Sequence, residues 1–312
     1  MKKILVLEGN PAFQKTLTFK KIRYGEVNRA SSLHIYTGGK GTNFCRAGRI
    51  FRQAEYELLH FTGGENGRKV DHLLAEEGIK TFSVKVDAET RCCITCLNED
   101  DGSMTELIEP SFPLTAEDQK KFLLLLEERL PGCSVAAITG SLPDGTDKEY
   151  YTQWAQMVLN AGKLLFIDAV KGIGNTLALP GKKILKINKE ELLFLSGGKT
   201  LADGMEKLME KYALEVLAVT DGAGNAFLAA SSGVRRKYIL PELEKIVSPL
   251  GCGDTASSVF CSLLLAGTLP QEAFKTALAA ASANCLNGDA ASFSMEDMEK
   301  LLPLIRMEDM KE

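Results

Sequence analysis

Short apolar runs, each alternating with a helix-length segment, recur through most of this chain and leave it few architectures. Residues 135–139 (VAAIT), 164–168 (LLFID), 183–187 (KILKI) and 216–220 (VLAVT) are such runs. They are too short for helices, and they lack the apolar/polar alternation of strands with one wet face. Strands covered on both faces by helices fit the pattern, so the expected fold class is α/β, a doubly wound and mainly parallel sheet flanked by helices. At 312 residues the chain can bury a sizeable core as one large domain or two. Two stretches break the rhythm. Residues 12–37 and 87–110 read as strands with no helix between them, the second turning at Asp100-Asp101-Gly102. They are expected to pair as a small β-sheet lid beside a core made of residues 1–11, 38–86 and 111–312.

Charge and cysteine usage exclude several functions. The net charge is −4 and no long Lys/Arg block occurs, so neither nucleic acid nor a membrane surface is an expected partner. The apolar run after Met1-Lys2-Lys3 is too short for a signal peptide, and no stretch has transmembrane length, which points to the cytoplasm. Eight cysteines are scattered along the chain, as in a reducing compartment. Cys93 and Cys96 have CxxC spacing, but no second pair and no clustered His completes a metal site, and residues 91–97 read as a strand.

Gly251-Cys252-Gly253-Asp254-Thr255 opens an apolar-periodic helix that includes Ala256, Val259, Phe260, Leu263 and Leu264. Free backbone N–H groups and the positive helix end make such a turn an anion site. Phosphate would repel a carboxylate, so a functional Asp254 suits proton acceptance from an attacking hydroxyl. The plain alternative is an N-cap. Gly38-Gly39-Lys40-Gly41-Thr42-Asn43 also opens a helix and permits close backbone approach to a ligand, unless Thr42 or Asn43 merely caps it. It is not a P-loop, because Gly41 follows the lysine, and Gly198-Lys199-Thr200 fails too, with Leu193 in place of the first glycine. Asn188 and Glu191 read either as a capping pair or as oxygen ligands holding the water shell of Mg²⁺. Thr220-Asp221-Gly222-Ala223-Gly224 is a tight turn or a nucleotide contact made by a hydroxyl and backbone N–H groups. Arg29 and Arg91 place two cations in the lid strands, where they suit a phosphate.

Taken in order and spacing, these segments, with Asn10-Pro11-Ala12, Gly25-Glu26-Val27-Asn28-Arg29 and Gly140-Ser141-Leu142-Pro143, resemble the ribokinase-like carbohydrate kinases. Within that family they are most similar to the 1-phosphofructokinase and tagatose-6-phosphate kinase branch. The resemblance spans nearly the whole chain and implies transfer of the ATP γ-phosphoryl group, with Mg²⁺, to a sugar hydroxyl. It implies Asp254 as the base and the backbone of Gly251, Cys252 and Gly253 as the anion hole. Lys186, Asn188, Glu191, Thr220, Gly222, Gly224 and Asn284 fall to the nucleotide and metal side, with Asn188 and Glu191 reaching the metal through water. Gln14, Arg29, Gly39, Lys40, Asn43 and Arg91 fall, with Asp254, to the acceptor.

Two residues depart from the branch. Cys252 replaces the usual Ala, a small change where backbone does the work, although a low-pKa thiol at a helix N-terminus is open to oxidation. Gln14 replaces an Asp that grips sugar hydroxyls, which alters acceptor recognition. The expected function is therefore an ATP- and Mg²⁺-dependent kinase of a ketohexose phosphate, of the fructose-1-phosphate or tagatose-6-phosphate type, with a homodimer formed through the lid. A kinase of an unphosphorylated sugar or nucleoside, and a non-catalytic sensor on the same fold, are the alternatives.

Overall fold

The computed structural model describes residues 2–310, so residues 1, 311 and 312 of the expected core span lie outside the described residues. In chain order the strands are β1 (Lys3–Glu8), β2 (Ala12–Phe19), β3 (Ser32–Gly38), β4 (Glu55–Gly63), β5 (Lys80–Val86), β6 (Cys92–Asn98), β7 (Met104–Ile108), β8 (Val135–Thr139), β9 (Leu164–Asp168), β10 (Lys183–Asn188), β11 (Val216–Asp221), β12 (Asn225–Ala230), β13 (Arg235–Ile239) and β14 (Arg306–Asp309). The helices are α1 (Lys40–Phe51), α2 (Gly64–Glu76), α3 (Ala116–Arg129), α4 (Glu149–Asn160), α5 (Gly174–Ala178), α6 (Lys189–Ser196), α7 (Leu201–Tyr212), α8 (Cys252–Ala266), α9 (Pro270–Asn284) and α10 (Met295–Leu301).

Ten strands form one sheet in the order β14-β13-β12-β11-β10-β9-β8-β1-β4-β5. From β5 to β11 the neighbours run parallel, while β12, β13 and β14 finish one edge antiparallel. Successive residues of the central strands feed opposite cores. Ile4 and Val6 pack with Phe44, Val70, Phe260, Ala277 and Met298 from α1, α2, α8, α9 and α10. Leu5 and Leu7 pack with Phe122, Trp154, Leu177, Leu192 and Met205 from α3 to α7. This is the doubly wound α/β class expected from the continuous apolar runs. No helix among the described residues is long and apolar enough to cross a membrane.

The lid is a separate four-stranded sheet in the order β3-β2-β6-β7. Cys92, Cys93 and Cys96 lie buried in β6, within the stretch expected as strand. Only residues 9–11 separate β1 from β2, and Gly39 alone separates β3 from α1, so the lid is anchored beside the C-terminal end of β1. Opposed residues in register share a face. Tyr36, Gln14 and Cys93 make one row, with Ile108 beyond Cys93, and Thr95 and Glu106 join His34 and Thr16 in the next row on that same face. Leu33, Leu17 and Cys96, and Ile35, Lys15, Ile94 and Leu107, occupy the opposite face.

Candidate active site

The parallel strands end together. Glu8 lies opposite Thr139, Thr139 opposite Asp168, and Asn188 opposite Thr220, which brings polar termini to the edge where open α/β sheets bind ligands. A cavity of about 520 Å³ opens there. Glu8, Lys40, Asn43, Glu191, Gly251 and Asp254 border it from the core, and Gln14, Tyr36, Arg91 and Glu106 from the lid.

Helix α8 begins at Gly251, whose φ of 75° places it in the left-handed region. A Cβ at that position would also stand 2.4 Å from the Ala291 nitrogen, so only glycine fits the turn. No side chain caps this helix. Early N–H groups of a helix have no partner within it, so the amides of Gly253 and Asp254 remain available to an anion. Asp254 is therefore not the N-cap. Its side chain is 8% exposed, and Asn43 Nδ2 donates to its Oδ2 at 2.8 Å. Burial pushes the carboxyl up to about 6, with Asp168 adding to the rise, while Lys40, the Asn43 hydrogen bond and Lys186 restrain it.

Asp168, at the end of β9 and 2% exposed, ties the core side together. Lys40 Nζ donates to its Oδ1 at 3.0 Å, Ser257 Oγ donates to its Oδ2 at 2.5 Å, and Lys186 Nζ stands 3.5 Å from the same Oδ2. Burial alone would raise this carboxyl, but Lys186 and Lys40 hold it well below the usual range. Asp168 in turn raises Lys40, against that side chain's own burial. Lys186 Nζ and Ser257 Oγ both also donate to the Gly253 carbonyl, at 3.0 Å each, which fixes the first turn of α8 from behind.

Glu8 does the work expected of Thr42 or Asn43 at the start of α1. Its Oε1 accepts from the Gly41 N–H at 2.8 Å and the Thr42 N–H at 3.4 Å, and Thr42 Oγ1 donates to Oε2 at 3.1 Å. Neither Thr42 nor Asn43 caps the helix; the N-cap is Gly39. Gly39 has φ 127°, and a Cβ there would lie 2.2 Å from Glu8 Oε1. The carboxylate and the glycine thus require each other. Burial raises Glu8 to about 7, against the hydrogen bonds from Gly41 and Thr42.

On the lid side, Arg91 Nη2 donates to the Asn10 carbonyl at 3.1 Å, while Arg91 Nε is buried with no partner among the described residues. A buried guanidinium N–H left open beside a cavity suits an anionic ligand. Gln14 Nε2 donates to Thr95 Oγ1 at 3.0 Å, which fixes the amide on the cavity face.

The expected residues thus divide. Gln14, Gly39, Lys40, Asn43, Arg91, Glu191, Gly251 and Asp254 meet around the cavity. Arg29 lies on an exposed lid loop and does not border it. Lys186 sits behind the first turn of α8. Asn284 is fully buried, bonded to Thr255 Oγ1 at 3.1 Å and to the Leu250 carbonyl at 2.9 Å, so it supports the α8 turn and is not itself open to a ligand. Thr220, Gly222 and Gly224 form the β11–β12 turn beside Asn188. Glu8, Tyr36, Glu106 and Asp168 were not singled out by the sequence. For Glu8 and Asp168 a signal existed, since each is an acid closing an apolar strand.

Asn188 and Glu191 do form a capping box: Asn188 Oδ1 accepts from the Glu191 N–H and Glu191 Oε2 from the Asn188 N–H, both at 2.8 Å. Glu191 nevertheless borders the cavity, and its second oxygen is a hard donor suited to a divalent cation held through water. Among the described residues no cluster of three or more His, Cys, Asp or Glu exists, so a cation here would draw most of its shell from water and ligand oxygens.

Comparison with known proteins matches residues 12–298 to the pfkB family of carbohydrate kinases. The chain is 26% identical to tagatose-6-phosphate kinase of Staphylococcus epidermidis over 97% of its length and 99% of the relative's. Among solved structures it is similar to a chain described as a possible 1-phosphofructokinase from Thermotoga maritima, with TM-score 0.88, 21% identity and coverage of 99% and 100%. It is also similar to phosphofructokinase-2 of Escherichia coli in complex with fructose-6-phosphate, with TM-score 0.85, 22% identity and coverage of 97% and 99%.

Proposed function

The chain belongs to the pfkB family of carbohydrate kinases and is a phosphotransferase, and from that premise we propose that it transfers the γ-phosphoryl group of ATP to a hydroxyl of a phosphorylated ketohexose. The observation that carries this reading is Asp254, a buried carboxylate raised to about 6, beside free helix amides and at the edge of the cavity. In this reading Asp254 takes the proton of the attacking hydroxyl, and the Asn43 amide holds the carboxylate by one oxygen so that the other faces the acceptor. The free amides of Gly253 and Asp254, held out by the Gly251-Cys252-Gly253 turn, receive the transferring group. Lys40 offsets its charge, while Asp168 keeps that ammonium in place. Glu191, oriented by Asn188, would hold part of the water shell of Mg²⁺, which would supply further charge neutralisation when bound. Lys186 and Asn284 act by holding the turn, and Thr220, Gly222 and Gly224 border the nucleotide. Residues 12–37 and 87–110 serve as the lid of the core.

The phosphate on the acceptor is supported by Arg91, a guanidinium that borders the cavity, and by the tagatose-6-phosphate kinase relative. The apolar outer face of the lid, with Leu33, Ile35 and Leu107 exposed, supports contact between two copies there, which sedimentation at several protein concentrations would check. A cytoplasmic setting fits eight unpaired cysteines.

A panel of sugars and sugar phosphates assayed for ATP-dependent ADP release tests the assignment. Tagatose-6-phosphate, fructose-6-phosphate or fructose-1-phosphate should exceed every free sugar by roughly tenfold or more in kcat/KM, the worth of one charged hydrogen bond. A free sugar or nucleoside at the top of the ranking would favour the second reading, an unphosphorylated acceptor. That reading has its own support in Glu106, a carboxylate on the cavity wall that welcomes hydroxyls and repels phosphate.

Gln14 should set the choice among acceptors. A buried amide matched to one hydroxyl pattern leaves a polar group unsatisfied with another, a penalty of about 1–3 kcal/mol or roughly ten- to a hundredfold. Gln14→Asp is expected to reorder the three ketohexose phosphates while KM for ATP stays constant. An unchanged ranking with altered ATP affinity would remove Gln14 from the acceptor site.

A further inference from the structure

Six of the eight cysteines are buried, and the two that keep part of their surface, Cys252 and Cys285, touch each other. Cys252 is the first residue of α8 and Cys285 follows the last residue of α9. Asn284 Nδ2 donates to the Leu250 carbonyl at 2.9 Å and its Oδ1 accepts from Thr255 Oγ1 at 3.1 Å, which sets Cys285 beside the first turn of α8, where the two thiols interact; Cys285 Sγ also donates to the Ala281 carbonyl at 3.5 Å. Two half-buried sulfurs held in contact across a helix junction are a different object from a lone cysteine, because each can supply the partner that the other's oxidation requires. We propose that Cys252 and Cys285 form a modification site, oxidised by a peroxide to a reversible disulfide that closes the anion-binding turn of α8.

The chemistry balances with the peroxide as the only oxidant. The Cys252 thiolate attacks one peroxide oxygen, the O–O bond breaks, and the sulfur becomes a sulfenic acid while hydroxide leaves and takes up a proton to form water. The Cys285 sulfur then attacks the sulfenic sulfur, the S–O bond breaks, and the hydroxyl departs with a proton as a second water. Two thiols lose two electrons to the peroxide. A dithiol reductant restores them by exchange.

Cys252 is suited to the attacking role. The hydrogen bond with Cys285 draws it down to about 7; burial and Asp254 oppose that fall and Lys186 reinforces it. Cys285 is raised by the same bond and by burial, so the order of attack is set. The step reaches the anion site through covalent neighbours. Formation of the S–S bond brings the sulfurs to about 2 Å, closer than any thiol hydrogen bond. The Cys285 carbonyl accepts from Val247 N at 2.8 Å and Ser248 N at 3.3 Å, and Asn284 Nδ2 holds the Leu250 carbonyl, so the strap entering α8 is fastened to the very segment that must move. Gly251 has no slack, since it already abuts Ala291.

The loss of activity is read through the proposed kinase function, whereas formation of the disulfide is not, so the test uses both readouts. The full-length protein is treated with hydrogen peroxide, then assayed for ADP release on its best sugar phosphate and mapped by mass spectrometry of non-reduced peptides. A peptide linking Cys252 to Cys285 should rise in step with a loss of turnover on the order of 10²-fold, as for removal of an anion-hole donor, and dithiothreitol should reverse both. Cys285→Ala, or Cys285→Ser should the first fold poorly, should keep basal turnover and lose the dithiothreitol-reversible inactivation. Inactivation without the linked peptide, or the same reversible loss in both Cys285 variants, would overturn the proposal. A linked peptide in a protein with no turnover on any sugar phosphate would uphold the thiol pair and overturn the sugar-phosphate acceptor instead.

Discussion

Asp254→Asn is expected to lower kcat by on the order of 10² to 10⁴, the usual contribution of a general base, with KM for ATP and sugar changed little. The amide matches the carboxylate in shape and can still meet Asn43, so the first turn of α8 should stand. What disappears is the proton acceptor. The pH dependence supplies a second readout with a defined sign. A base works deprotonated, and Asp254 titrates at about 6, so kcat/KM of the unaltered protein should decline as pH falls through about 6 and level off above it. The residual activity of the Asn variant should lack that limb. Near-normal kcat, or an acid limb that survives the substitution, would sink the assignment of the base.

Asp168→Asn is expected to cost about 3–5 kcal/mol of folding stability, the penalty for removing one partner of a buried ion pair. Lys186, 5% exposed, would lose its ion-pair partner, and the single amide oxygen could accept from only one of Lys40 and Ser257. The folded carboxyl lies well below its unfolded value, so its stabilisation is complete above the unfolded pKa near 3.9 and is lost only as pH falls towards the folded one. Urea unfolding at pH 7 and pH 5 should therefore show the same deficit for the variant, and the gap should narrow only in stronger acid. A deficit below about 1 kcal/mol at neutral pH would mean that Lys40 and Lys186 are stabilised by other groups, and the network drawn around Asp168 would fail.

The sheet was readable because strands covered on both faces write a short unbroken apolar run, as at 135–139 and 164–168, bounded by turn residues, whereas the run at 122–126 continues into polar residues of helical length and belongs to α3. The turn at Gly251 was readable because its geometry is local: a glycine with positive φ and an apolar helix follow one another in the chain. The acids at Glu8 and Asp168 were harder to read. Each closes a strand in a way that also suits a solvent-exposed strand end, and only the packing of α1 and α8 against those ends reveals their burial. Asn284 fell in the expected part of the chain, yet its side chain is consumed by Thr255 and Leu250, a contact across the α8–α9 pair that no spacing announces. Tyr36 and Glu106 escaped for a related reason, because they share a face only once the β2–β3 and β6–β7 hairpins are joined through β2 and β6, strands far apart in sequence. Arg29 illustrates the converse: charge suggested a ligand contact, while the loop carrying it is turned to solvent.

The lid reaches the cavity through alternate residues of one sheet, and the proton acceptor stands on a helix of the other. Under the proposed function, choice of acceptor and chemistry of transfer therefore occupy different mechanical bodies joined by four short connections, residues 9–11, Gly39, residues 87–91 and residues 109–115. A lineage could exchange Gln14, Tyr36 or Glu106 one at a time and explore new sugars, each change altering a wall without shifting Asp254 relative to the α8 amides. The pleat imposes a grammar on that exploration: every second position is free to vary with diet, and the positions between them answer only to whatever covers the lid's other side.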